Sequence, residues 1–393
     1  MRDVVIVDSV RTGLAKSHRG TFNKTLPADM CAHLVKSLLA RNPKLDPETI
    51  GDCIVGCGLP EGPQGFNVGR ITSVLADLPI SVSGQTVSRY CSSGLQAIST
   101  AANQIATGYD DIILAGGCET ISLLKTPNMN NALNPLVGQK QPGIYLPMGQ
   151  TAETVATRYN VSRESQDELA LLSQQRVAAA QEQGLFSDEI IPMTVKWSKK
   201  DRATGEVTEL EGTVDKDECN RPTTTLEGLS TLPPSFSPTG TVTAGNSSQL
   251  ADGASMTLVM SAEKAEELGL EPLAYFRGFT VAGCGPDEMG IGPVFAVPKL
   301  LERAGLTMDQ IDIVELNEAF ASQAVYCRDQ LNVSSEQLNP NGGSIAVGHP
   351  YGMTGSRLVG HAARELQRRN LKYAIITMCV GGGMGAAGLI EAC

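Results

Sequence analysis

The two halves of the sequence show the same succession of helix and strand patterns. Residues 33–57 have the pattern of an amphipathic helix, then a polar turn, then a short β-branched run that begins at Asp52. Residues 296–316 have the same three parts in the same order, and the second run begins at Asp312. Apolar residues at helical spacing followed by β-branched residues predict a helix that leads into a strand in each half.

A second pair of segments follows the first in both halves. At 94–117 an apolar helix pattern leads into a strand pattern and then into two glycines. At 355–383 a helix pattern leads into a strand pattern and then into three glycines. Alternating helices and strands are typical of parallel βαβ units, so the sequence predicts a duplicated α/β fold. A chance resemblance between two ordinary α/β segments is the alternative.

The stretch between the two repeats has a different character. Pro, Asn and Gly are frequent in 125–147, which predicts irregular structure there. Residues 164–184 have a helical pattern, and 190–217 have the pattern of a polar hairpin with a turn near 199–205. We interpret the stretch as an inserted loop domain of the kind that covers a ligand. The predicted domains are an N-terminal α/β half at 1–120, the inserted loop domain at 121–245 and a C-terminal α/β half at 246–393.

Composition excludes several classes of function. The 393 residues carry a net charge of −11, and aromatic residues make up 4 % with a single tryptophan, which argues against nucleic acid or an acidic membrane surface as a partner. No run of about 18 apolar residues is present, and the strand pattern near residue 4 leaves no room for a signal peptide. Ten cysteines without a C-x-x-C pair predict reduced thiols and no zinc site. We therefore expect a soluble cytoplasmic protein without a metal.

Two residues stand where a loop meets a predicted helix. Cys91 precedes the helix that starts near Gly94, and a thiol at a helix N-terminus is favoured as thiolate by unpaired N–H groups and the helix dipole. His349 lies in a glycine-dense loop before another helix, where glycines and Pro350 let a ligand approach the backbone. The other histidines are interpreted as surface or packing residues. Packing is also the alternative for His349.

Two further candidates end predicted strands of the second half. Cys379 precedes consecutive glycines, whose N–H groups can bind an oxyanion; a buried structural thiol is the alternative. Asn317 and Glu318 follow the preceding strand, and ligands of parallel sheets gather at the carboxyl ends of strands. A helix N-cap is the alternative for Asn317.

Four blocks of sequence resemble the active-site blocks of the thiolases. In chain order they are Cys-Ser-Ser-Gly94, Asn-Glu-Ala-Phe320, Gly-His-Pro-x-Gly352 and Cys-x-Gly-Gly-Gly383, and the similarity extends over essentially the whole chain. The resemblance implies a layered αβαβα fold with two similar halves and the inserted loop domain. It also implies acyl-CoA and coenzyme A as substrates, with no permanently bound cofactor.

The resemblance assigns a role to each candidate. Cys91 would attack the carbonyl and carry the acyl group, His349 would take the Cys91 proton, and Cys379 would move the proton on the α-carbon. Asn317 would hold a water that, with His349, binds the enolate oxygen. The backbone N–H groups of Cys91 and Gly381 would form the second oxyanion hole.

The family pattern also implies contacts with the coenzyme. Ser248 would bond the pantetheine arm, Arg221 would lie by the adenine or the phosphates, and Met148 and Phe320 would line the acyl and pantetheine path. Ordinary surface positions are the alternative for Arg221 and Ser248. Pro147 stands where short-chain biosynthetic members carry a histidine, which favours the degradative 3-oxoacyl-CoA type.

The expected activity is reversible CoA-dependent cleavage of 3-oxoacyl-CoA through an acyl-Cys91 intermediate, in a homodimer or homotetramer. An acetoacetyl-CoA-forming enzyme of biosynthetic type and a catalytically silent CoA-binding relative remain as alternatives. A decarboxylating ketosynthase would need a histidine at Asn317. A papain-type hydrolase is disfavoured because Asn317 precedes His349 in the chain and Cys379 would have no task.

Overall fold

A computed structural model describes residues 1–124, 133–201 and 203–393. Its strands are β1 Val4–Arg11, β2 Ala15–Lys16, β3 Asp52–Cys57, β4 Gln85–Val87, β5 Ile112–Thr120, β6 Met193–Lys200, β7 Val207–Val214, β8 Ala251–Ser261, β9 Ala274–Gly283, β10 Ile313–Leu316, β11 Tyr373–Val380 and β12 Met384–Ala392. Its α-helices are α1 Pro27–Arg41, α2 Val68–Leu75, α3 Ser93–Ala106, α4 Pro135–Lys140, α5 Met148–Arg158, α6 Arg163–Glu182, α7 Leu226–Ser230, α8 Ala262–Glu267, α9 Gly292–Ala304, α10 Ala321–Gln330, α11 Ser344–Val347 and α12 Tyr351–Arg369.

The main sheet contains the same four-strand unit twice. One unit has the order β1-β8-β5-β3 and the other has the order β9-β12-β11-β10. The helix-linked strands β3 and β5 pair in parallel, as do β10 and β11. The two units meet where β1 and β9 pair antiparallel, at Val5 with Tyr275 and Ile6 with Ala274. The predicted duplicated α/β fold is confirmed.

Strand β8 follows the inserted segment in the chain but belongs to the sheet of the first unit. It lies between β1 and β5 and pairs antiparallel with both. In the second unit β12 takes the same place beside β11 and β9. The division at residues 120 and 245 stays a prediction, and the strand pairing adds that the first repeat is completed only after the insertion.

The helices form three layers around the two sheet units. Because side chains alternate along β1, Val5 and Val7 face a core with α1, whereas Val4 and Ile6 face a core with α3 and α12. On the outer side of the second unit, α9 and α10 pack against β10, β11 and β12. The order helix, sheet, helix, sheet, helix is the αβαβα arrangement expected from the sequence.

The two helices of the middle layer contact each other at glycines. A Cβ atom on Gly94 of α3 would lie 2.7 Å from the carbonyl oxygen of Gly352. A Cβ atom on Gly355 of α12 would lie 2.6 Å from the backbone nitrogen of Leu95. The absence of both side chains lets the first turns of α3 and α12 lie side by side. The residues that precede these turns are Cys91 and His349.

The inserted segment contains more regular structure than expected. The predicted helix and polar hairpin are confirmed as α6 and the pair β6–β7. The prediction of irregular structure at 125–147 is wrong for its second part, where α4 and a 3₁₀ turn at Pro142–Tyr145 form. Asn134 caps α4 by accepting from the N–H groups of Leu136 and Val137, and Pro135 occupies the first helical position. Residues 125–132, and Arg202 in the hairpin turn, lie outside the described residues.

In the described ranges, no helix combines the length and the apolar character needed to cross a membrane.

Candidate active site

Cys91 lies in a tight turn at the start of α3. A 3₁₀ turn spans Tyr90–Ser92, and Tyr90 adopts a left-handed backbone with φ 42°. The Ser93 hydroxyl accepts from the N–H of Arg89 at 2.9 Å and donates to the carbonyl of Tyr90 at 2.6 Å. These local bonds hold the turn that presents the Cys91 side chain to the site. The backbone N–H groups of Cys91 and Gly381 both act on the Cys91 sulfur and lower its pKa, so the two predicted oxyanion donors lie near the same atom.

The Cys91 sulfur is protonated in this environment. Burial of the thiol raises its pKa to about 12, and the N–H groups of Gly381 and Cys91 lower the pKa by less than burial raises it. The expectation that the helix N-terminus favours a resting thiolate is therefore wrong, because loss of hydration outweighs the partial charges of the turn. Attack by Cys91 requires a base that removes its proton.

His349 is held as a neutral imidazole of defined tautomer. The Thr354 hydroxyl donates to the carbonyl of Pro350 at 2.9 Å and lies 2.7 Å from Nδ1 of His349. Since its single proton is committed to Pro350, the hydroxyl accepts from Nδ1–H. The proton of the neutral ring is thus on Nδ1, and Nε2 carries a lone pair. Burial and the nearby Arg357 lower the pKa of His349 to about 3, so this lone pair is available across the neutral pH range.

Asn317 contacts the unprotonated side of the His349 ring. Its Nδ2 atom lies 3.3 Å from Nε2 of His349, and its Oδ1 atom accepts from the Ser344 hydroxyl at 2.6 Å. The Ser344 contact turns the amide so that its NH₂ group faces the ring. The Asn317 N–H donor and Nε2 of His349 therefore meet at one place. Once Nε2 has taken a proton, both N–H groups can bind an enolate oxygen.

Cys379 lies beside Cys91 at the end of β11. Its buried S–H donates to Oε1 of Gln323 at 3.4 Å, while the Nε2 atom of Gln323 has no partner. Burial, with the neighbouring Cys91 as the next cause, raises the pKa of Cys379 well above its usual range. Met148 and Phe320 pack against the small cluster that contains Cys379. The second thiol thus lies among apolar side chains and keeps its proton.

Two buried carboxylates hold the His349 loop from both sides. Glu119, at the end of β5, accepts from the N–H of Gly352 at 2.8 Å and from the N–H of Gly58 at 2.8 Å. Glu318 accepts from the N–H of Ile345 at 3.2 Å. The expectation that Glu318 reaches a ligand is wrong, because its oxygens also accept from the side chains of Ser173 and Asn339.

The predicted coenzyme contacts fall into two neighbouring cavities. Ser248 lines a cavity of about 440 Å³, and Arg221 lines a second cavity of about 210 Å³. Both cavities include Ala244 and Gln249, so they adjoin. The N–H of Ser248 donates to the carbonyl of Ala319 at 3.0 Å. Ala319 precedes Phe320, so the Ser248 cavity lies next to the apolar side of the site.

Met148 and Phe320 come from different elements and both pack against the cluster that contains Cys379. The sulfur of Met148 would lie 3.6 Å from a Cβ atom on Gly381, so Met148 lies next to the oxyanion donors. The ring of Phe320 packs edge-on against Phe236, with ring centroids 5.9 Å apart. Phe236 also lines the Ser248 cavity, which connects the coenzyme side to the acyl side.

Several positioning residues were missed by the sequence analysis. They are Thr354, Ser344, Gln323 and Glu119. Thr354 lies in the first turn of the helix that follows His349, and this position is the one local signal that could have identified it. The other contacts join residues 27 to 233 positions apart. In the described residues, no group of three or more His, Cys, Asp and Glu side chains is placed to hold a metal ion.

The geometry combines a thiol nucleophile, a neutral imidazole base, a second thiol and two sites for oxyanions. Comparisons with known proteins give the same indication. Residues 4–263 match the family model "Thiolase, N-terminal domain", and residues 270–392 match "Thiolase, C-terminal domain".

Relatives and one solved structure cover essentially the whole chain. A 3-ketoacyl-CoA thiolase of Bacillus subtilis is 46 % identical over 395 residues and all of both chains. The human peroxisomal 3-ketoacyl-CoA thiolase is 44 % identical, covering 99 % of this chain and 91 % of that protein. The crystal structure of the Bacillus anthracis acetyl-CoA acetyltransferase superposes with a TM-score of 0.89 at 37 % identity, covering 100 % of this chain and 99 % of the other. The chain belongs to the thiolase family.

Proposed function

We propose that the protein is a degradative thiolase, which cleaves 3-oxoacyl-CoA with coenzyme A to give an acyl-CoA shortened by two carbons and acetyl-CoA. The observation that carries the proposal is that Cys91 neighbours Cys379 from the other repeat, while the ring of His349 packs against Tyr351, which in turn neighbours Cys91. Thiolysis uses three groups in turn: a thiol nucleophile, a base that takes the proton of this thiol, and a separate donor that protonates carbon.

The first half of the reaction breaks the carbon–carbon bond. The sulfur of Cys91 attacks the 3-oxo carbon as its proton passes to Nε2 of His349, and the N–H groups of Cys91 and Gly381 bind the developing oxyanion. Collapse of this adduct breaks the bond between C2 and C3 and leaves the acyl group on Cys91. The electron pair leaves as the enolate of acetyl-CoA, whose oxygen is bound by His349 and a water on Asn317. Cys379 gives its proton to C2, and acetyl-CoA departs.

The second half transfers the acyl group. The thiol of coenzyme A attacks the acyl-Cys91 thioester, the N–H groups of Cys91 and Gly381 bind the oxyanion again, and the sulfur of Cys91 leaves. Protons return to the two cysteines from the incoming thiol and from His349, so the enzyme ends as it began. Coenzyme A is a substrate in this scheme, and no permanently bound cofactor takes part.

The degradative direction is supported by two observations. Pro147 precedes Met148 in place of the histidine of the biosynthetic type, and the relatives reported above at 44–46 % identity are named 3-ketoacyl-CoA thiolases. The solved structure at 37 % identity is named an acetyl-CoA acetyltransferase. The formation of acetoacetyl-CoA from two acetyl-CoA molecules is therefore the second candidate.

The deciding experiment is CoA-dependent cleavage of 3-oxoacyl-CoAs with four to sixteen carbons, with Cys91→Ala as the control. Cleavage that extends to long chains and is lost in the variant supports a role in fatty-acid degradation. Cleavage confined to the four-carbon substrate favours the acetoacetyl-CoA enzyme. No cleavage at any length contradicts the proposal and leaves the silent CoA-binding relative.

We further propose a homodimer or homotetramer that works in the cytoplasm. The family and the glycine-rich faces of the chain support assembly, and the acidic charge and reduced thiols support a cytoplasmic location. Light scattering after size-exclusion chromatography would count the subunits, and a mass of 41.5 kDa would contradict assembly. Fractionation of the source cells would test the location.

A further inference from the structure

The side-chain amide of Gln323 contacts Cys379 with only one of its two ends. Gln323 is fully buried in the first turn of α10, and the Cys379 S–H donates to its Oε1 atom at 3.4 Å. At the other end of the amide, Nε2 is buried and has no hydrogen-bond partner among the described residues. A buried NH₂ group without a partner costs free energy, and most such groups in proteins are paired. Gln323 therefore holds an unused donor next to the thiol to which the proposed mechanism assigns a proton transfer.

The base of the Gln323 side chain is fixed, whereas its terminal amide can rotate. The preceding residue, Ser322, donates from its hydroxyl to the carbonyl of Ala152 at 3.0 Å. A Cβ atom on Gly290 would lie 2.7 Å from the Cβ atom of Gln323, so α10 packs closely against the turn that contains Gly290. The last torsion of a glutamine side chain is broad and roughly two-fold, and the oxygen and nitrogen ends of the amide are similar in size. A half turn of the amide therefore exchanges the two ends without moving α10.

Other thiols act on Cys379 from the elements around it. Burial is the main cause of its raised pKa, and the thiols of Cys91 before α3, Cys327 on α10 and Cys284 after β9 raise the pKa further. Burial also raises the pKa of Cys327 above its usual range and that of Cys284 to about 11, so both are uncharged at neutral pH. A thiolate formed at Cys379 is therefore stabilised by neutral hydrogen-bond donors. The unused Nε2 end of Gln323 is such a donor, on a side chain that already contacts the sulfur.

The proposed mechanism takes Cys379 through two protonation states. When its S–H bond breaks and the proton goes to C2, the electron pair of that bond stays on the sulfur, which becomes a thiolate. Oε1 of Gln323 repels a thiolate, whereas Nε2–H donates to it, so a half turn of the amide follows the loss of the proton. When the thiol is restored, the amide turns back and Oε1 accepts from S–H again. A hydrogen bond to the charged form favours that form, so it makes the thiol a stronger acid.

We propose that Gln323 exchanges the ends of its amide with the protonation state of Cys379, presenting Oε1 to the thiol and Nε2–H to the thiolate. Gln323 is thus a positioning residue that acts through Cys379 and promotes proton transfer to and from carbon. The proposal rests on the proposed function, because it takes Cys379 as the proton donor for C2. Acyl transfer through Cys91 does not depend on the amide, and this difference makes the proposal testable.

The first test is Gln323→Met, which keeps the size of the side chain and removes both ends of the amide. We expect kcat for cleavage of 3-oxoacyl-CoA to fall about 10-fold to 100-fold with little change in KM, because one charge-assisted hydrogen bond is lost. Exchange of deuterium from the solvent into C2 of acetyl-CoA should fall by a similar factor. Transfer of an acyl group from acyl-CoA to pantetheine needs Cys91 but no proton at carbon, so it should stay within about twofold of wild type. An equal loss of acyl transfer and cleavage would overturn the proposal.

The conservative variant Gln323→Glu gives a signature in the pH profile. A protonated carboxyl group has an acceptor and a donor, like the amide, whereas a carboxylate has no donor. Burial raises the pKa of such a carboxyl group, and above that pKa its negative charge opposes a thiolate. The ratio of wild-type to variant cleavage should therefore grow by about tenfold or more between about pH 6 and about pH 9. A ratio that is independent of pH would contradict the exchange of ends.

A matched control is Gln166→Met on α6. Gln166 is also fully buried, and its Oε1 atom is unpaired among the described residues, but its Nε2 donates to the carbonyl of Val161 at 3.1 Å and to the hydroxyl of Thr241 at 2.9 Å. The control should keep the wild-type ratio of cleavage to acyl transfer and lower the midpoint of urea unfolding, because it leaves these acceptors unpaired. Gln323→Met removes an unpaired NH₂ group and should keep the midpoint or raise it. A midpoint lowered as far as in the control would assign Gln323 to the stability of the fold and overturn the proposal.

Failure of the proposed function has a different signature. A wild-type protein that neither transfers acyl groups to pantetheine nor exchanges deuterium into acetyl-CoA lacks the proposed function, whatever Gln323 does. The urea comparison needs no substrate and still tests the amide, since a lowered midpoint for Gln323→Met contradicts the proposal. A wild-type protein that exchanges deuterium but cleaves only the four-carbon substrate is the acetoacetyl-CoA enzyme, and the effects expected at Gln323 stay the same.

Discussion

The two repeats present side chains at corresponding ends of their elements, yet they contribute unequally to the site. The first repeat supplies one reactive side chain, Cys91, in front of α3. The second supplies His349 in front of α12, Asn317 after β10 and Cys379 at the end of β11. Duplication thus supplies the positions, while the partners of each side chain decide its task. In the proposed mechanism the first repeat holds the acyl group, and the second moves protons and binds the enolate.

The end of the strand that follows the middle-layer helix shows the difference most clearly. In the first repeat Glu119 accepts from the N–H groups of Gly58, Leu59 and Gly352 and from the side chain of Gln64. In the second repeat the corresponding strand ends near Cys379, whose thiol has one long contact to an amide oxygen. Glu119 uses its hydrogen-bonding capacity to hold the loops around it, whereas Cys379 has hydrogen-bonding capacity left and can react.

The largest expected loss of turnover follows removal of a thiol, and the two thiols should differ in what is lost. Cys91→Ala should lower turnover by a factor on the order of 10⁴ or more and abolish the acyl-enzyme, because no other nucleophile replaces the sulfur. Cys379→Ala should lower cleavage by about 10²–10⁴ while Cys91 still becomes acylated by acyl-CoA, because only carbon protonation is lost. Intact-mass spectrometry after mixing with acyl-CoA measures the acylation.

The matched control for these variants is Cys53→Ala, which removes a buried thiol on β3 outside the site. It should retain near wild-type turnover if it remains folded. Acylation of the Cys91→Ala protein, or no acylation of a folded Cys379→Ala protein, would refute the division of labour between the repeats.

An intermediate effect is expected for the tautomer of His349. Thr354→Val keeps the shape of the side chain but removes the acceptor for Nδ1–H, so the ring is free to place its proton on Nε2. We expect kcat to fall about 10-fold to 100-fold with little change in KM. The conservative variant Thr354→Ser should restore most of kcat. Loss through KM alone, or equal loss in both variants, would assign Thr354 to packing.

The smallest effect concerns stability and contrasts Glu119 with a carboxylate of the second repeat. Glu315 is buried, and neither of its oxygens has a hydrogen-bond partner among the described residues. Burial raises its pKa to about 7 from an ordinary 4.5. Between pH 5 and pH 8 the unfolded chain therefore releases the proton before the folded protein does, and folding stability falls as the pH rises.

Glu315→Gln should remove this loss. We expect the variant to become more stable relative to the wild-type protein, by up to about 3 kcal/mol, as the pH is raised from 5 to 8. Urea unfolding at the two pH values measures the difference. The exposed Glu336→Gln serves as the control and should show no such trend. A constant difference between Glu315→Gln and wild type at both pH values would contradict the assignment.

The sequence predicted the features that are local to the chain. The duplicated order of elements, the four active-site blocks and the inserted hairpin all depend on neighbouring residues. The thiolate expected at Cys91 was wrong because burial by other segments dominates its pKa. The pairing of Glu119 with Gly352 spans 233 positions. Helix α4 was missed because Asn134 and Pro135 indicate a turn in isolation but cap a helix when the following residues continue it.

The crossing of α3 and α12 has a consequence for how this site can evolve. The gap across the active centre is set by two missing methyl groups, at Gly94 and Gly355. Adding either one would wedge the helices apart at the ends that bear Cys91 and His349, since backbone atoms stand in the way. Substitutions in the surrounding loops can therefore change the reaction, while the distance between the nucleophile Cys91 and the base His349 stays the same.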